Sequence, residues 1–237
     1  MSQNHILSSF DEELNTLRAN IVKMGILVEE QYKNALIALK EKDKELAERV
    51  RKTDRIIDQM DTEIEKQAIH MIALRSPVAD DLRDIVSTIK ISSGLERIGD
   101  YAKNLAKRVM VVRHKKTISV SSDLIDQMVS QIRSMITDVI DAYITRDIEK
   151  AIDVWQRDKA VDNLYNSLFR ELLTYMMENP EYITPATHLL FIAKNIERAG
   201  DHATNIAELV YYINAGELLA HKRPKDDSSN YVEIETD

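Results

Sequence analysis

The chain of 237 residues is 44% hydrophobic and 30% charged, so it can bury a sizeable core, and general disorder is excluded. It has no cysteine, which excludes disulfides and thiolate metal sites and suits a reducing cytoplasm, and its formal net charge of −8 argues against a nucleic-acid partner. No apolar run approaches the about 20 residues that span a bilayer, and no signal peptide is evident, so we expect a soluble cytoplasmic protein.

Long helices are the expected secondary structure, because only five glycines and four prolines punctuate the sequence. Breaks in the apolar periodicity predict six helices followed by a flexible polar tail, at 5–41, 43–74, 79–113, 122–145, 147–178, 185–217 and 219–237. We expect Ser76 or Asp80 to cap the third helix, Asp147 the fifth and Thr184 the sixth, since each side chain offers an oxygen to a first helical turn.

The six helices are three helices used twice. Asp43, Asp54 and Asp58 recur 104 positions later as Asp147, Asp158 and Asp162. Beyond a loop that is shorter in one half, the shift becomes 101, and 96–104 (ERIGDYAKN) recurs as 197–205 (ERAGDHATN). We therefore predict an all-α fold of two tandem, pseudo-repeated antiparallel three-helix bundles, with domains at 1–114 and 122–218.

Acidic side chains form columns on these helices. At about 100° per residue, Glu96, Asp100 and Asn104 lie one turn apart, opposite a core face that includes Ile91 and Ile98. The second half repeats this column, and the preceding helix of each half carries two aspartates four residues apart. The candidate ligands are Asp54, Asp58, Glu96, Asp100, Asp158, Asp162, Glu197 and Asp201, with Asn104 and Asn205 as weaker candidates.

These columns need a compensating partner, because like charges at i and i+4 destabilise an isolated helix. A single pair of this kind is usually a solvated helix face, but four repeated pairs favour hard metal ions, which take carboxylate oxygens. Arg97 and Arg198 are the alternative partners, and spacing leaves both explanations open. Asp61 and Glu65 extend the first column where the second half has Tyr165 and Phe169, so the two sites should differ.

Gly99 and Gly200 occupy the same point of the two halves, inside predicted helices where glycine costs about 1 kcal/mol relative to alanine. We expect close approach of another backbone there, with Ala102 and Ala203 helping. No histidine pair has the spacing of a zinc or di-iron site, and no phosphate loop or nucleophile elbow is present, which disfavours a conventional enzyme.

Across about residues 6–218, the sequence resembles the phosphate-specific transport system accessory proteins, the PhoU family. The resemblance is carried by the doubled ERxGDxxxN, the two DxxxD helices, the opening from Leu14 to Gly25 and the segment LRSPVADDLRDI at 74–85. It implies a pair of three-helix bundles, frequent homodimers, and metal clusters held by the E/DxxxD motifs at the acidic residues named above. Iron, manganese, zinc and magnesium are our candidate divalent or trivalent ions.

The resemblance also implies a function that is regulatory and not enzymatic. Members restrain the phosphate-starvation response and limit phosphate uptake, by coupling a phosphate ABC transporter, through its cytoplasmic ATPase component, to a membrane sensor histidine kinase. Membrane association would then be peripheral and through protein partners only. The alternative is a purely structural helical interaction protein whose acidic columns bind a basic partner without metal.

Overall fold

The computed structural model describes residues 2–112 and 121–219, and the predicted helices are all present. Their bounds are α1 (Ser2–Glu41), α2 (Lys44–Arg75), α3 (Ala79–Val112), α4 (Ser121–Thr145), α5 (Ile148–Glu178) and α6 (Ile183–Ala215). A short 3₁₀ turn, Pro180–Tyr182, precedes α6, and the described residues contain no β-strand. The all-α prediction is confirmed, whereas the predicted tail falls, after residue 219, outside the described residues.

The first connection of each half uses the same two-residue device. Lys42 and Arg146 adopt left-handed backbone angles, with φ of 56° and 57°, and so end the preceding helices. Each is followed by an aspartate that caps the next helix: Asp43 accepts from two amides of α2, and Asp147 accepts from the amide of Lys150 at 2.9 Å. The predicted cap at Asp147 is confirmed.

Neither residue proposed as the cap of the third helix has that role. Ser76 lies in the left-handed region, with φ of 46°, and its amide donates to the carbonyl of Ile72, so it ends α2 instead. Asp80 lies inside the first turn of α3, where its carboxylate pairs with Arg83 at 2.8 Å. The two residues therefore belong to the end of one helix and the body of the next.

Thr184 is not the cap of the sixth helix either, because α6 begins one residue earlier, at Ile183. The chain has already turned at Asn179, whose side chain accepts from the amide of Glu181 at 2.9 Å, and Pro180 then starts the 3₁₀ turn. This turn leads directly into α6, so the helix needs no side-chain cap of its own.

The helices form two three-helix bundles that pack side by side. Helices α1, α2 and α3 contact one another pairwise, as do α4, α5 and α6, and the bundles meet through α1 against α4 and α3 against α6. Helices α2 and α5 consequently lie on opposite outer sides. The predicted core face of α3 is confirmed, since Ile91, Leu95, Ile98, Ala102, Leu105 and Val109 are all buried. None of the described helices has a stretch long and apolar enough to cross a lipid bilayer.

The repeat gives the molecule a pseudo-two-fold axis between the bundles. The shift of 104 also relates buried positions of α1 and α4, such as Met24 and Met128. Glu29 and Arg133 are equivalent by that shift and contact each other, with Arg133 Nε donating to Glu29 Oε1 at 2.6 Å. Tyr101 and His202, equivalent by the shift of 101, have ring centroids 5.8 Å apart. Residues that contact their own repeat partners lie at the axis, so α1 crosses α4, and α3 crosses α6, at these points.

One end of the interface between the bundles carries a charged cluster around a buried carboxylate, and the repeat does not share it. Asp84 on α3 is buried, and its Oδ2 accepts from Arg18 of α1 at 2.5 Å and from Arg146 of the turn between α4 and α5 at 2.6 Å. Beside it, the hydroxyls of Thr88 and Tyr143 are 2.7 Å apart, again across the interface. We call Arg18, Asp84 and Arg146 the interbundle clamp.

Gly99 and Gly200 make room for side chains, so the expectation of an approaching backbone is wrong. A Cβ atom on Gly99 would lie 3.1 Å from Gln31 Oε1 of α1 and 3.3 Å from the end of Ile57 of α2. A Cβ on Gly200 would lie 3.2 Å from Asp158 Oδ1 of α5. In both halves, the absence of a Cβ atom lets polar and apolar side chains of the neighbouring helices pack close to α3 or α6.

Candidate functional site: two acidic clusters

The first acidic cluster consists of Asp54 and Asp58 on α2 together with Glu96 and Asp100 on α3. The two helices bring these carboxylates close together. The negative charges of Asp58 and Asp100 contribute to the raised pKa of both Asp54 and Glu96, in addition to burial. Asp54 is buried, Glu96 and Asp100 are half-buried, and Asp58 is exposed. In the first half, the acid pair of α2 therefore lies beside that of α3.

Lys103 makes the closest cationic contacts with this cluster, and the sequence pattern did not predict this role. Its ammonium group donates to Oδ2 of Asp54 and to Oδ1 of Asp100, the latter at 2.6 Å, and so bridges α2 and α3. These contacts with two carboxylates raise the pKa of Lys103 against the opposing effect of its burial. The signal in the sequence is the i,i+3 spacing from Asp100, which turns the lysine towards the same side of the helix.

Negative charge in the first cluster exceeds what Lys103 neutralises. Burial raises the pKa of Asp54, although the hydrogen bond from Lys103 lowers it. Burial is also the largest cause of the raised pKa of Glu96, followed by repulsion from Asp100. Oδ1 of Asp54 is buried and accepts no hydrogen bond. The cluster therefore retains carboxylate oxygens that the protein itself does not fully use.

The arginine and amide neighbours contribute less. Arg97 reaches Glu96 at 3.5 Å and Asp100 at 3.9 Å, and its side chain is mostly exposed, so these contacts are weak. Asn104 is half-buried and accepts from Lys107 at 3.1 Å. Arg97, which the sequence suggested as the rival to a metal ion, is therefore a lesser partner of the carboxylates than Lys103.

The second acidic cluster comprises Asp158, Asp162, Glu197 and Asp201 between α5 and α6. Both aspartates of α5 are buried, whereas Glu197 and Asp201 are half-buried. Because Gly200 has no side chain, Asp158 of α5 can pack close to α6. Asn205, at the end of the column, is exposed.

A lysine also adjoins the second cluster, but from the opposite direction along the helix. Lys194 lies one turn before Glu197, with Nζ 3.0 Å from its carboxylate, and the same Nζ lies 5.1 Å from the ring centroid of Tyr165. The residue equivalent to Lys103 is Thr204, whose buried hydroxyl donates to the carbonyl of Gly200 at 2.8 Å. The two clusters have equivalent carboxylates but differ in the placement of their cationic side chains.

The regions beyond the columns differ as the sequence indicates. In the first half, Asp61 accepts a hydrogen bond from Ser92 Oγ at 2.5 Å and adds to the charge near Glu96. In the second half, the rings of Tyr165 and Phe169 pack with centroids 6.5 Å apart. The first cluster is therefore extended by a carboxylate, and the second by an aromatic pair.

The donor atoms are of the type that hard cations prefer. Both clusters offer carboxylate oxygens, and Oδ1 of Asp54 is an acceptor with no hydrogen-bond donor. Within the described part of the chain, however, no three His, Asp or Glu side chains stand close enough together to hold a metal ion between them. In the first cluster, the position between α2 and α3 belongs to the Lys103 ammonium. A metal ion at this position would require Lys103 to move aside and the carboxylates to draw closer together.

Comparisons with known proteins agree with this architecture. The model of the PhoU domain family matches residues 21–109 and again 125–210, one match for each bundle. A Rhizobium meliloti protein named phosphate-specific transport system accessory protein PhoU homolog is 46% identical over 237 residues, covering all of both chains. The homolog of the same name from Caulobacter vibrioides is 46% identical over 223 residues, or 94% of this chain and 97% of its own.

Solved structures show the same fold. The crystal structure of PhoU from Pseudomonas aeruginosa superposes with a TM-score of 0.84 at 38% identity, covering 88% of this chain and 100% of that one. The phosphate transport system regulatory protein PhoU from Streptococcus pneumoniae gives a TM-score of 0.82 at 34% identity, covering 89% and 99%. With matches in both bundles and relatives of equal length, the chain belongs to the PhoU domain family.

Proposed function

We propose that the protein is an accessory regulator of a phosphate-specific transport system, acting in the cytoplasm to restrain the phosphate-starvation response and phosphate uptake. The observation that carries this proposal is 46% identity, over the full length of both chains, with a relative named a phosphate-specific transport system accessory protein. In this proposal the protein is an adaptor and not an enzyme. It couples the ATPase component of a phosphate ABC transporter to a membrane sensor histidine kinase, as a homodimer and without nucleic acid.

The surface of the first bundle supports docking to protein partners. At the turn between α2 and α3, Leu74 and Val78 are 62% and 74% exposed, and Leu82 continues this apolar surface onto α3. The turn is held in place by Arg75, whose guanidinium binds Glu13 of α1 at 2.6 Å. A fixed turn that exposes apolar side chains is suited to protein contact, because little ordering entropy is lost on binding.

We further propose that the two acidic clusters bind divalent or trivalent metal ions, of which iron, manganese, zinc and magnesium are the candidates. The repeated carboxylates, the buried Oδ1 of Asp54 and the raised pKa of Glu96 support this part of the proposal. The ions would join α2 to α3 and α5 to α6, and would supply positive charge where the carboxylates repel one another.

The regulatory role is tested by deleting the gene and measuring phosphate-starvation gene expression in phosphate-rich medium. We expect loss of repression, and its return on complementation with the wild-type gene. Unchanged repression in the deletion strain would count against the proposal. Co-purification of the transporter ATPase and of the kinase with the tagged protein tests the two partners separately.

The alternative function, an interaction protein that uses its acidic clusters without metal, is favoured by the contact of Lys103 with Asp54 and Asp100. The double substitution Glu96→Gln and Asp100→Asn separates the two. Loss of bound metal with intact partner docking supports the metal-binding adaptor. Loss of docking in protein that never held metal supports the alternative.

A further inference from the structure

Lys103 places one positive charge at the centre of the first acidic cluster. Its ammonium contacts one carboxylate on each helix, Asp54 on α2 and Asp100 on α3. The Asp54 side chain is 3% exposed, whereas the Lys103 side chain is 22% exposed. The carboxylate is therefore fixed inside the protein, while the lysine is within reach of solvent.

We propose that Lys103 is a tethered counter-cation, which occupies the first acidic cluster in the metal-free protein and competes with a metal ion for Asp54 and Asp100. This inference rests on the cation binding proposed above. The ammonium and a metal ion need the same carboxylate oxygens and carry charge of the same sign, so both cannot occupy the position between the helices. Metal binding to this cluster is thus an exchange of one cation for another.

The side chain of Lys103 can move from the cluster into solvent. Lysine carries a compact charge on a flexible four-carbon stem, and water hydrates the ammonium well once it is outside. The partly exposed side chain of Lys103 needs only rotations of that stem to reach solvent. Asp54 has no such freedom, because it is buried on the inner side of α2. The exchange therefore begins with movement of the lysine.

The donors that Lys103 does not use favour the incoming ion. Oδ1 of Asp54 accepts no hydrogen bond, and Glu96 makes no contact with the lysine. Three N–H donors satisfy only part of such a group of oxygens, whereas a hard metal ion takes six or more ligands. An ion that takes Oδ1 of Asp54 as a ligand therefore gains an interaction that the ammonium lacks.

The second bundle has no lysine at the position equivalent to Lys103. At the equivalent point of the second bundle, Thr204 turns its hydroxyl back to its own helix. The nearby lysine, Lys194, approaches Glu197 from the preceding turn. Removing Lys103 should therefore alter one class of metal site and leave the other unchanged.

The first experiment is titration with Mn²⁺ by calorimetry, on wild-type protein and on Lys103→Met purified with chelator and then dialysed. Methionine keeps the length of the side chain and removes its charge. We expect one class of sites to bind at least about tenfold more tightly in Lys103→Met, a change of about 1.4 kcal/mol. Lys90→Met, an exposed lysine earlier on the same helix, is the matched control and should not change the affinity.

The second experiment uses the wild-type chain, so it stands even where Lys103→Met folds poorly. Brief acetylation with acetic anhydride, followed by peptide mass spectrometry, reports how far each lysine amine is accessible. Addition of Mn²⁺ should raise the modification of Lys103 several-fold, because the displaced ammonium enters solvent, with no change at Lys90. A fall or no change at Lys103 while Mn²⁺ binds would overturn the exchange.

The outcomes distinguish the two levels of the proposal. Equal Mn²⁺ affinity in wild type and Lys103→Met, with binding present in both, rejects the tethered counter-cation and leaves metal binding standing. Absence of Mn²⁺ binding in every variant rejects both. The regulatory function is judged independently, by gene expression in the deletion strain.

Discussion

Replacing Asp84 by asparagine should weaken the contact between the two bundles. Asp84 is the shared acceptor of the interbundle clamp, and Arg18 and Arg146 reach it from α1 and from the turn between α4 and α5. Asparagine keeps the size of the side chain and its ability to accept hydrogen bonds, but removes the charge that both guanidinium groups face. The substitution therefore tests the electrostatic part of the contact.

The expected loss is about 2 kcal/mol in the free energy of unfolding. A hydrogen bond to a charged group contributes about 1.5–3 kcal/mol, and the Arg18 contact falls at the lower end because that side chain is 28% exposed. Arg146 is 45% exposed, so solvent screening reduces its share to about 0.5 kcal/mol. Both arginines can turn towards water after the substitution, which keeps the loss below the 3–5 kcal/mol typical of a fully buried broken pair.

Urea unfolding followed by far-UV circular dichroism measures this loss as a lower midpoint at unchanged slope. Asp126→Asn is the matched control, because Asp126 pairs with Lys40 at 2.6 Å where the carboxylate is 30% exposed and the lysine 52% exposed, and we expect a much smaller loss there. A loss for Asp84→Asn no larger than for Asp126→Asn would refute the reasoning that burial makes the clamp strong.

Three further substitutions give smaller, signed effects on stability. Glu96→Gln should stabilise the metal-free protein at pH 7 by several tenths of a kcal/mol, because it removes the cost of burying this carboxylate and also its repulsion from Asp100. Since the folded pKa of Glu96 is raised, this glutamate costs stability above that pKa, and the gain should disappear as the pH falls below its ordinary value of 4.5. Asp147→Ala should cost about 1 kcal/mol by removing the cap of α5. Gly25→Ala should be destabilising by about 1 kcal/mol, because its Cβ would lie 2.7 Å from Cγ1 of Ile140 and the resulting overpacking exceeds the gain in helix propensity.

The same unfolding assay checks all three, and each has a contrary result. A Glu96→Gln protein that is less stable than wild type at pH 7 would mean that the carboxylate is favourable as it stands. Asp147→Ser, which keeps an oxygen at the cap, should recover most of the loss seen with alanine. Stabilisation by Gly25→Ala would show that Ile140 moves away at little cost.

The helices and their repeat could be predicted because both depend on local pattern. Apolar periodicity fixes which face of α3 is buried, and the cap at Asp147 follows from the residue type and its place before an apolar run. The predictions that Ser76 and Thr184 cap helices are wrong because the turns before α3 and α6 use these residues differently. A left-handed serine ended α2, and a 3₁₀ turn began α6 early.

The candidate site was only partly predictable. Repetition drew attention to the carboxylates, and the helical spacing placed Glu96 and Asp100 on one side of α3 without showing which helix they face. Lys103 was missed because a lysine three residues after an aspartate is common on solvated helix faces, and only the packing of α2 shows that it also reaches Asp54. The interbundle clamp joins positions 18, 84 and 146, which no local pattern or repeat connects.

The contact between Glu29 and Arg133 has a consequence for the exchange of modules. These two positions descend from one position of the repeated unit, and each now faces the other across the pseudo-two-fold axis. A chain made of two first halves would set glutamate against glutamate there, and one made of two second halves would set arginine against arginine. Opposite charges at the axis thus make the halves complementary rather than interchangeable, so recombination that duplicates either half is disfavoured at the centre of the molecule.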